Sequence, residues 1–192
     1  MHYYLYLILD VYSRKFVGWE VRDHESSENA SVLMRKTHLR ERVGLKPLVL
    51  HSDNGSPASL LETLHELGGA SSYSRPRVSN DNAYAESIFR TCKYRPNYPY
   101  KGFETLAIAR DWMLKFTRWY DYHYKHSGIK FVTPGQRHSG EAERIIQQRK
   151  ALYQQAKEKY PERWSCNTRN WELPEKVHLN PERDDLEIKV AL

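Results

Sequence analysis

From position 3 to position 12 the chain reads Tyr-Tyr-Leu-Tyr-Leu-Ile-Leu-Asp-Val-Tyr, apolar or aromatic everywhere except Asp10. A strand with one wet face alternates polar and apolar side chains. An unbroken run this rich in aromatic and branched residues predicts a strand covered on both sides, and so a layered chain with helices packed on a sheet. Ser13-Arg14-Lys15 then turns the chain, and residues 16–21 supply a second strand, which predicts an antiparallel hairpin at one side of that sheet.

The remaining pattern alternates helix and strand. Ser and Glu at the start, followed by Leu, Met and Val at helical spacing, predict an amphipathic helix over 26–43. Leu48-Val49-Leu50 is a short strand running into His51-Ser52-Asp53-Asn54-Gly55, where Asn-Gly provides a turn able to take positive φ. A leucine stripe at 60, 61, 64 and 67 predicts a helix closed by Gly68-Gly69, with a further short strand over 70–74 and a polar loop over 75–81. Asn80, Asp81 and Asn82 are candidate N-caps for a helix over 83–90. Leu106, Trp112, Phe116, Trp119 and Tyr120 predict a longer helix over 103–124, with these aromatics as core. Residues 141–159 read as a charged, mostly solvated helix, and the sequence beyond Pro161 as an extended or mobile tail. The fold class is α/β (α+β) with a mixed sheet, divided into a core over 1–138 and a charged helix with tail over 139–192.

Bulk composition narrows the function classes. Lys and Arg number 30 against 24 Asp and Glu, a formal charge of +6 that favours a polyanionic partner. The two cysteines, Cys92 and Cys166, lack the CxxC spacing of a zinc knuckle and give no disulfide framework, which fits a reducing cytoplasm. The opening apolar run has no basic flank and is too short to span a bilayer, so neither a signal peptide nor a membrane partner is expected.

Two acidic residues stand at element ends. Asp53 falls where a strand finishes and Glu86 near the first turn of a helix. Mg²⁺ takes hard oxygen ligands and leaves positions for water or phosphate, so two carboxylates converging at a sheet edge would suit Mg²⁺ or Mn²⁺ and phosphodiester chemistry. Each also has an ordinary role: Asp in a Ser-Asp-Asn-Gly turn, Glu paired with Arg90 one helical turn on.

The motifs in combination go further. Leu9-Asp10-Val11-Tyr12-Ser13-Arg14-Lys15, His51-Ser52-Asp53-Asn54-Gly55-Ser56 and Asn82-Ala83-Tyr84-Ala85-Glu86-Ser87 occur in one order. Ser74-Arg75-Pro76, the run from Phe89 to Arg95, and Trp119-Tyr120 through His126-Ser127-Gly128 to Thr133-Pro134 add to them. Together they resemble the integrase catalytic core of DDE-type insertion-sequence transposases, similar in turn to retroviral integrases. The resemblance implies an RNase H-like fold, Asp53 and Glu86 as catalytic metal-binding members of an Asp-Asp-Glu triad, and DNA strand cleavage and transfer. It also implies DNA partners in the form of transposon ends and target, with a homo-oligomer possible, acting at the bacterial nucleoid. The family's first aspartate lies in a Trp-x-Asp-Ile-Thr strand ahead of the hairpin. No counterpart occurs here, so a sheet without its first central strand is expected, with bared strand edges and low solubility. The spacing from Asp53 to Glu86 is a few residues shorter than the family's, the loss falling between Ser56 and Leu60. For Asp10 two roles stand, bonding the Ser13-Arg14 turn or touching the metal; for His51, tuning the site or capping a strand end.

Between Arg75 and Lys101 six basic residues face two acidic ones. Arg75, Arg77, Arg90, Lys93 and Arg95 form the expected DNA track, Arg90 and Lys93 sharing a helical face with Glu86. Tyr94, Tyr98 and Tyr100 either stack on bases or pin the loop to the core, the latter being favoured. His123 and His126 are assigned no metal. The competing functions are a truncated, inactive transposase remnant that at most binds DNA, and a nuclease of the same fold.

Overall fold

The computed structural model describes residues 2–44, 46–53, 56–75, 82–177 and 179. The expected hairpin forms: β1 (Tyr4–Leu9) pairs antiparallel with β2 (Phe16–Arg22). β1 ends at Leu9, short of the predicted position 12, because Asp10 starts the turn. Its backbone N–H donates to Lys15 O (2.9 Å) and its carbonyl accepts from Arg14 N–H (2.7 Å). α1 (Ser27–Arg40) follows, with the Ser26 hydroxyl accepting from Glu28 N–H; it stops before position 43 because Arg42 takes φ 51°.

Next come β3 (Leu48–Ser52), α2 (Ala58–Glu66) and β4 (Gly69–Tyr73), a strand–helix–strand unit in which β3 and β4 pair parallel, in register from Leu48↔Gly69 to Ser52↔Tyr73. Gly68, at φ 72°, supplies the left-handed residue that ends α2. α3 (Ala83–Lys93) runs three residues beyond the predicted end, and α4 (Leu106–Tyr122) is capped by the Thr105 hydroxyl on Ile108 N–H. α5 (Pro134–His138) opens with a capping box between Thr133 and Gln136, and α6 (Glu141–Lys159) takes its predicted bounds.

Among the described residues the strands form two separate two-stranded sheets, β1 with β2 and β3 with β4. Each of β1 and β3 therefore has a partner on one side only. Val49, 62% exposed in the middle of β3, shows how little covers that strand. α1 joins the two halves, packing on the hairpin and on α2. The main core lies between hairpin, α3 and α4: Phe16, Val21, Ile88, Cys92, Ala109, Met113, Phe116 and Tyr120 are all buried, and the predicted aromatic stripe of α4 is in it or against it. A second cluster unites Ile129 and Val132 with Ala142, Ile146 and Trp171. It straddles residues 138 and 139. Trp171 is buried, and Pro174 O accepts from the Arg137 guanidinium (2.7 Å), so this part of the irregular C-terminal segment is tied down.

Candidate active site

β3 delivers Asp53. The strand ends at Ser52, whose carbonyl accepts from Ser74 N–H (3.1 Å) one residue past β4, and Asp53 follows as an exposed bend. His51 bridges two serines of the neighbouring chain segment, Nδ1 to Ser72 Oγ (3.1 Å) and Nε2 to Ser74 Oγ (3.3 Å). Ser52 Oγ and Ser56 Oγ, 3.1 Å apart, close the base of the turn. Asn54 and Gly55 themselves lie outside the described residues.

α3 delivers Glu86, in its first turn and exposed. A carboxylate there is favoured by the unpaired N–H groups of the helix start. Asn82 occupies the cap position without a side-chain cap bond, contrary to its expected role; Asn80 and Asp81 lie outside the described residues. At 100° per residue Glu86, Arg90 and Lys93 fall within one outward stripe, while Ile88 and Cys92 point the other way into the core. Burial pushes the Cys92 thiol up to about 11, which leaves it an inert packing group. Among the described residues neither Asp53 nor Glu86 has an ion-pair or hydrogen-bond partner, and no group of three His, Cys, Asp or Glu side chains is placed to hold a metal. One follows the β3 strand of the β3–β4 unit, and the other is on the helix that packs over the hairpin.

The basic residues divide. Arg90 and Lys93 are exposed; Arg75 is exposed beside β4; Arg77 lies outside the described residues. Arg95 is committed to a ring, its guanidinium 3.7 Å from the centroid of Trp119. Tyr98 pins the loop as expected, edge-on to Trp112, whose indole N–H donates to Asn97 O (3.0 Å). Tyr100, though 77% exposed, also pins the loop, edge-on to Tyr98 (5.4 Å) with its hydroxyl donating to Lys93 O (3.3 Å), whereas Tyr94, at the C-cap of α3, is 76% exposed and does not join the core.

Around the hairpin turn lies a network that sequence patterns do not announce. Asp10 accepts from Tyr12 N–H (3.1 Å), Ser13 N–H (3.3 Å) and the Ser13 hydroxyl, and meets His138 Nδ1 (3.1 Å). Its carboxylate is occupied by the turn, the first of its two expected roles. His138 Nε2 meets Glu41 (3.0 Å), which also faces Lys15 (3.5 Å). Burial by itself raises the Glu41 carboxyl, but Lys15, His138 and Arg40 outweigh it and hold it below its ordinary range. Arg14, at φ 69°, lays its guanidinium 3.7 Å from the Tyr84 ring centroid, two residues before Glu86. The Asp-x-x-Ser-Arg run was the one available signal for this contact. His126 is half-buried with Nδ1 accepting from Gly128 N–H (3.0 Å), a structural role; burial, with Arg14 nearby, lowers its pKa.

Two family profiles, both described as Integrase core domain, match residues 1–79 and 67–134. The chain belongs to the integrase core domain family, in which insertion-sequence transposases stand. A curated relative, the Transposase for insertion sequence element IS904 of Lactococcus lactis subsp. lactis (strain IL1403), is 34% identical over 138 residues, 68% of this chain. The alignment takes in 53% of that relative, so the chain spans about half its length. A chain of the simian T-cell lymphotropic virus intasome, solved in complex with PP2A regulatory subunit B56 gamma, superposes at a TM-score of 0.52 with 18% identity. That match covers 71% of this chain and 48% of the other. The likeness bears on fold, and the fold is the RNase H-like α/β class. No helix among the described residues is long and apolar enough to cross a membrane.

Proposed function

We propose that this chain is catalytic-core sequence of a DDE transposase that cleaves and joins DNA strands with Mg²⁺ or Mn²⁺, acting on transposon ends and target in the bacterial cytoplasm, with residues 1–138 as the core unit. The observation that carries the reading is the pair of uncommitted, exposed carboxylates, Asp53 at the carboxyl end of β3 and Glu86 in the first turn of α3. As a donor set they fit a hard divalent ion: both are oxygen ligands, and no arginine or lysine among the described residues competes for them. When bound, such an ion would polarise a phosphodiester and lower the pKa of an attacking water. The protein's own part is orientation. β3 and α3 hold the two carboxylates, while Arg75, Arg77, Arg90 and Lys93 supply positive charge for the DNA backbone, Arg90 and Lys93 on the stripe of Glu86; Arg95, turned onto Trp119, stays out of that track.

Titrating Mn²⁺ calorimetrically into the chain, Asp53→Asn and Glu86→Gln tests this. Each substitution should weaken binding at least about tenfold, as loss of a charged ligand does. Heats that are superimposable across all three proteins would overturn the assignment. The split sheet favours a second reading, a chain that binds DNA without cutting it. DNA affinity that is indifferent to Mn²⁺ and to both substitutions would select that reading.

A further inference from the structure

We infer that His51 is a positioning residue for Asp53, acting through a two-point side-chain bridge to β4. The inference rests on the metal-ligand reading of Asp53 and adds what holds that ligand in place. β3 is half of a two-stranded parallel sheet, a pairing with slanted hydrogen bonds that is slightly weaker per residue than the antiparallel kind. Among the described residues its other edge has no strand beside it, and Val49 is exposed. The backbone ladder closes at Ser52↔Tyr73, so Asp53 projects past the last paired residue. Among the described residues one further backbone bond follows, Ser74 N–H to Ser52 O (3.1 Å). His51 reinforces that spot. Its ring reaches Ser72, its register partner, with Nδ1 (3.1 Å) and Ser74, two residues further along, with Nε2 (3.3 Å). A rigid imidazole touching both serines fixes the slide of β3 against β4 at the end nearest Asp53. Each serine hydroxyl can donate or accept, so either ring tautomer satisfies both contacts.

The two contacts can be separated. Asn places its amide nitrogen near the position of Nδ1 and Gln near that of Nε2. In the full 192-residue chain, His51→Asn should keep the Ser72 contact and lose Ser74, and His51→Gln should do the reverse. Exchange of the Ser74 amide, followed by NMR, should be roughly fivefold faster in His51→Asn, the weight of one hydrogen bond. It should return toward the parent rate in His51→Gln. Mn²⁺ affinity should fall roughly tenfold in His51→Asn and in Ser74→Ala, as when a ligand loses its orienting partner. The double substitution should be no worse than either alone. Unchanged Ser74 exchange in His51→Asn overturns the bridge. Unchanged Mn²⁺ affinity in His51→Asn, where Asp53→Asn abolishes binding, overturns the positioning role. If Asp53→Asn binds like the parent, the ligand reading of Asp53 falls, and with it the positioning role, while Ser74 exchange still decides whether the bridge exists.

Discussion

Asp121 makes stability depend on pH in a direction opposite to that of most carboxylates. Its side chain is only 5% exposed, at the end of α4, and its Oδ1 accepts from Phe16 N–H (3.0 Å), the first residue of β2. Burial pushes the carboxyl up from 3.8 to about 6, against the pull of the Phe16 N–H and of Lys15. Because the folded state then holds the proton more tightly than the unfolded chain, the contribution to stability is complete below about pH 4 and is lost as pH rises through 6. A shift of that size corresponds to about 3 kcal/mol. Asp121→Asn keeps an oxygen for Phe16 N–H and removes the ionisation. Urea unfolding at half-unit steps from pH 4 to 7.5 should show parent and variant nearly equal at pH 4. The variant should gain up to about 3 kcal/mol by pH 7.5. Taking the difference between the two proteins cancels the opposite trends of Glu41 and His126, whose lowered pKa values favour folding as pH rises. A difference that stays constant across the range would show that Asp121 does not titrate in the folded protein. A variant less stable at pH 7.5 would show that the carboxylate is kept ionised by Lys15.

The DNA track and the α3 anchor can be tested alongside the metal titrations. Neutralising Arg90 and Lys93 together should reduce the slope of log K against log salt for duplex DNA by about 1.8, near 0.9 per phosphate contact, whereas neutralising Arg95, stacked on Trp119, should leave the slope unchanged. An unaltered slope in the first variant would place the phosphate track elsewhere. Arg14→Ala should cost about 1–2 kcal/mol in urea unfolding, because it loses the Tyr84 contact while the left-handed φ stays as it was. Arg14→Gly should recover about half of that by relieving the φ. Equal losses would mean that the turn is not strained.

What the sequence made legible was whatever is periodic or local. The hairpin, the bounds of α6, the aromatic face of α4 and the placing of Asp53 and Glu86 at element ends all follow from spacing, caps and turn residues. Misjudged features depend on what lies opposite. Periodicity says that Trp119 faces inward, but not that Arg95 covers it. The tail reads as polar, yet Trp171 inserts beside Ile146, because a single large aromatic can anchor a segment with no period of its own. The His138 bridge from Asp10 to Glu41 joins residues more than ninety positions apart, and a lone histidine at a short helix's end carries no mark of such a partner. Asn82 looked like a cap by composition, whereas its φ of −113° and ψ of 15° turn the side chain from the role.

α1 is placed to govern the distance between the two acids. With no ladder joining β1–β2 to β3–β4, the described residues couple the halves chiefly through this helix, which packs on the hairpin and on α2. Toward α2, Arg35 reaches Thr63 Oγ1 (3.2 Å) and Glu66. Toward the hairpin, α1 comes so close that a Cβ on Gly18 would collide with Thr37 Oγ1. Gly18→Ala must therefore push α1 off β2, at about 1–3 kcal/mol, and carry α2 and the Asp53 unit with it. Thr37→Ala in the same chain removes the obstructing oxygen, which has no hydrogen-bond partner to lose. If α1 sets the spacing, Gly18→Ala should weaken Mn²⁺ binding at temperatures well below its melting point, and the added Thr37→Ala should restore it. Loss of stability with undiminished Mn²⁺ affinity would mean that the two acids are brought together by something other than this helix.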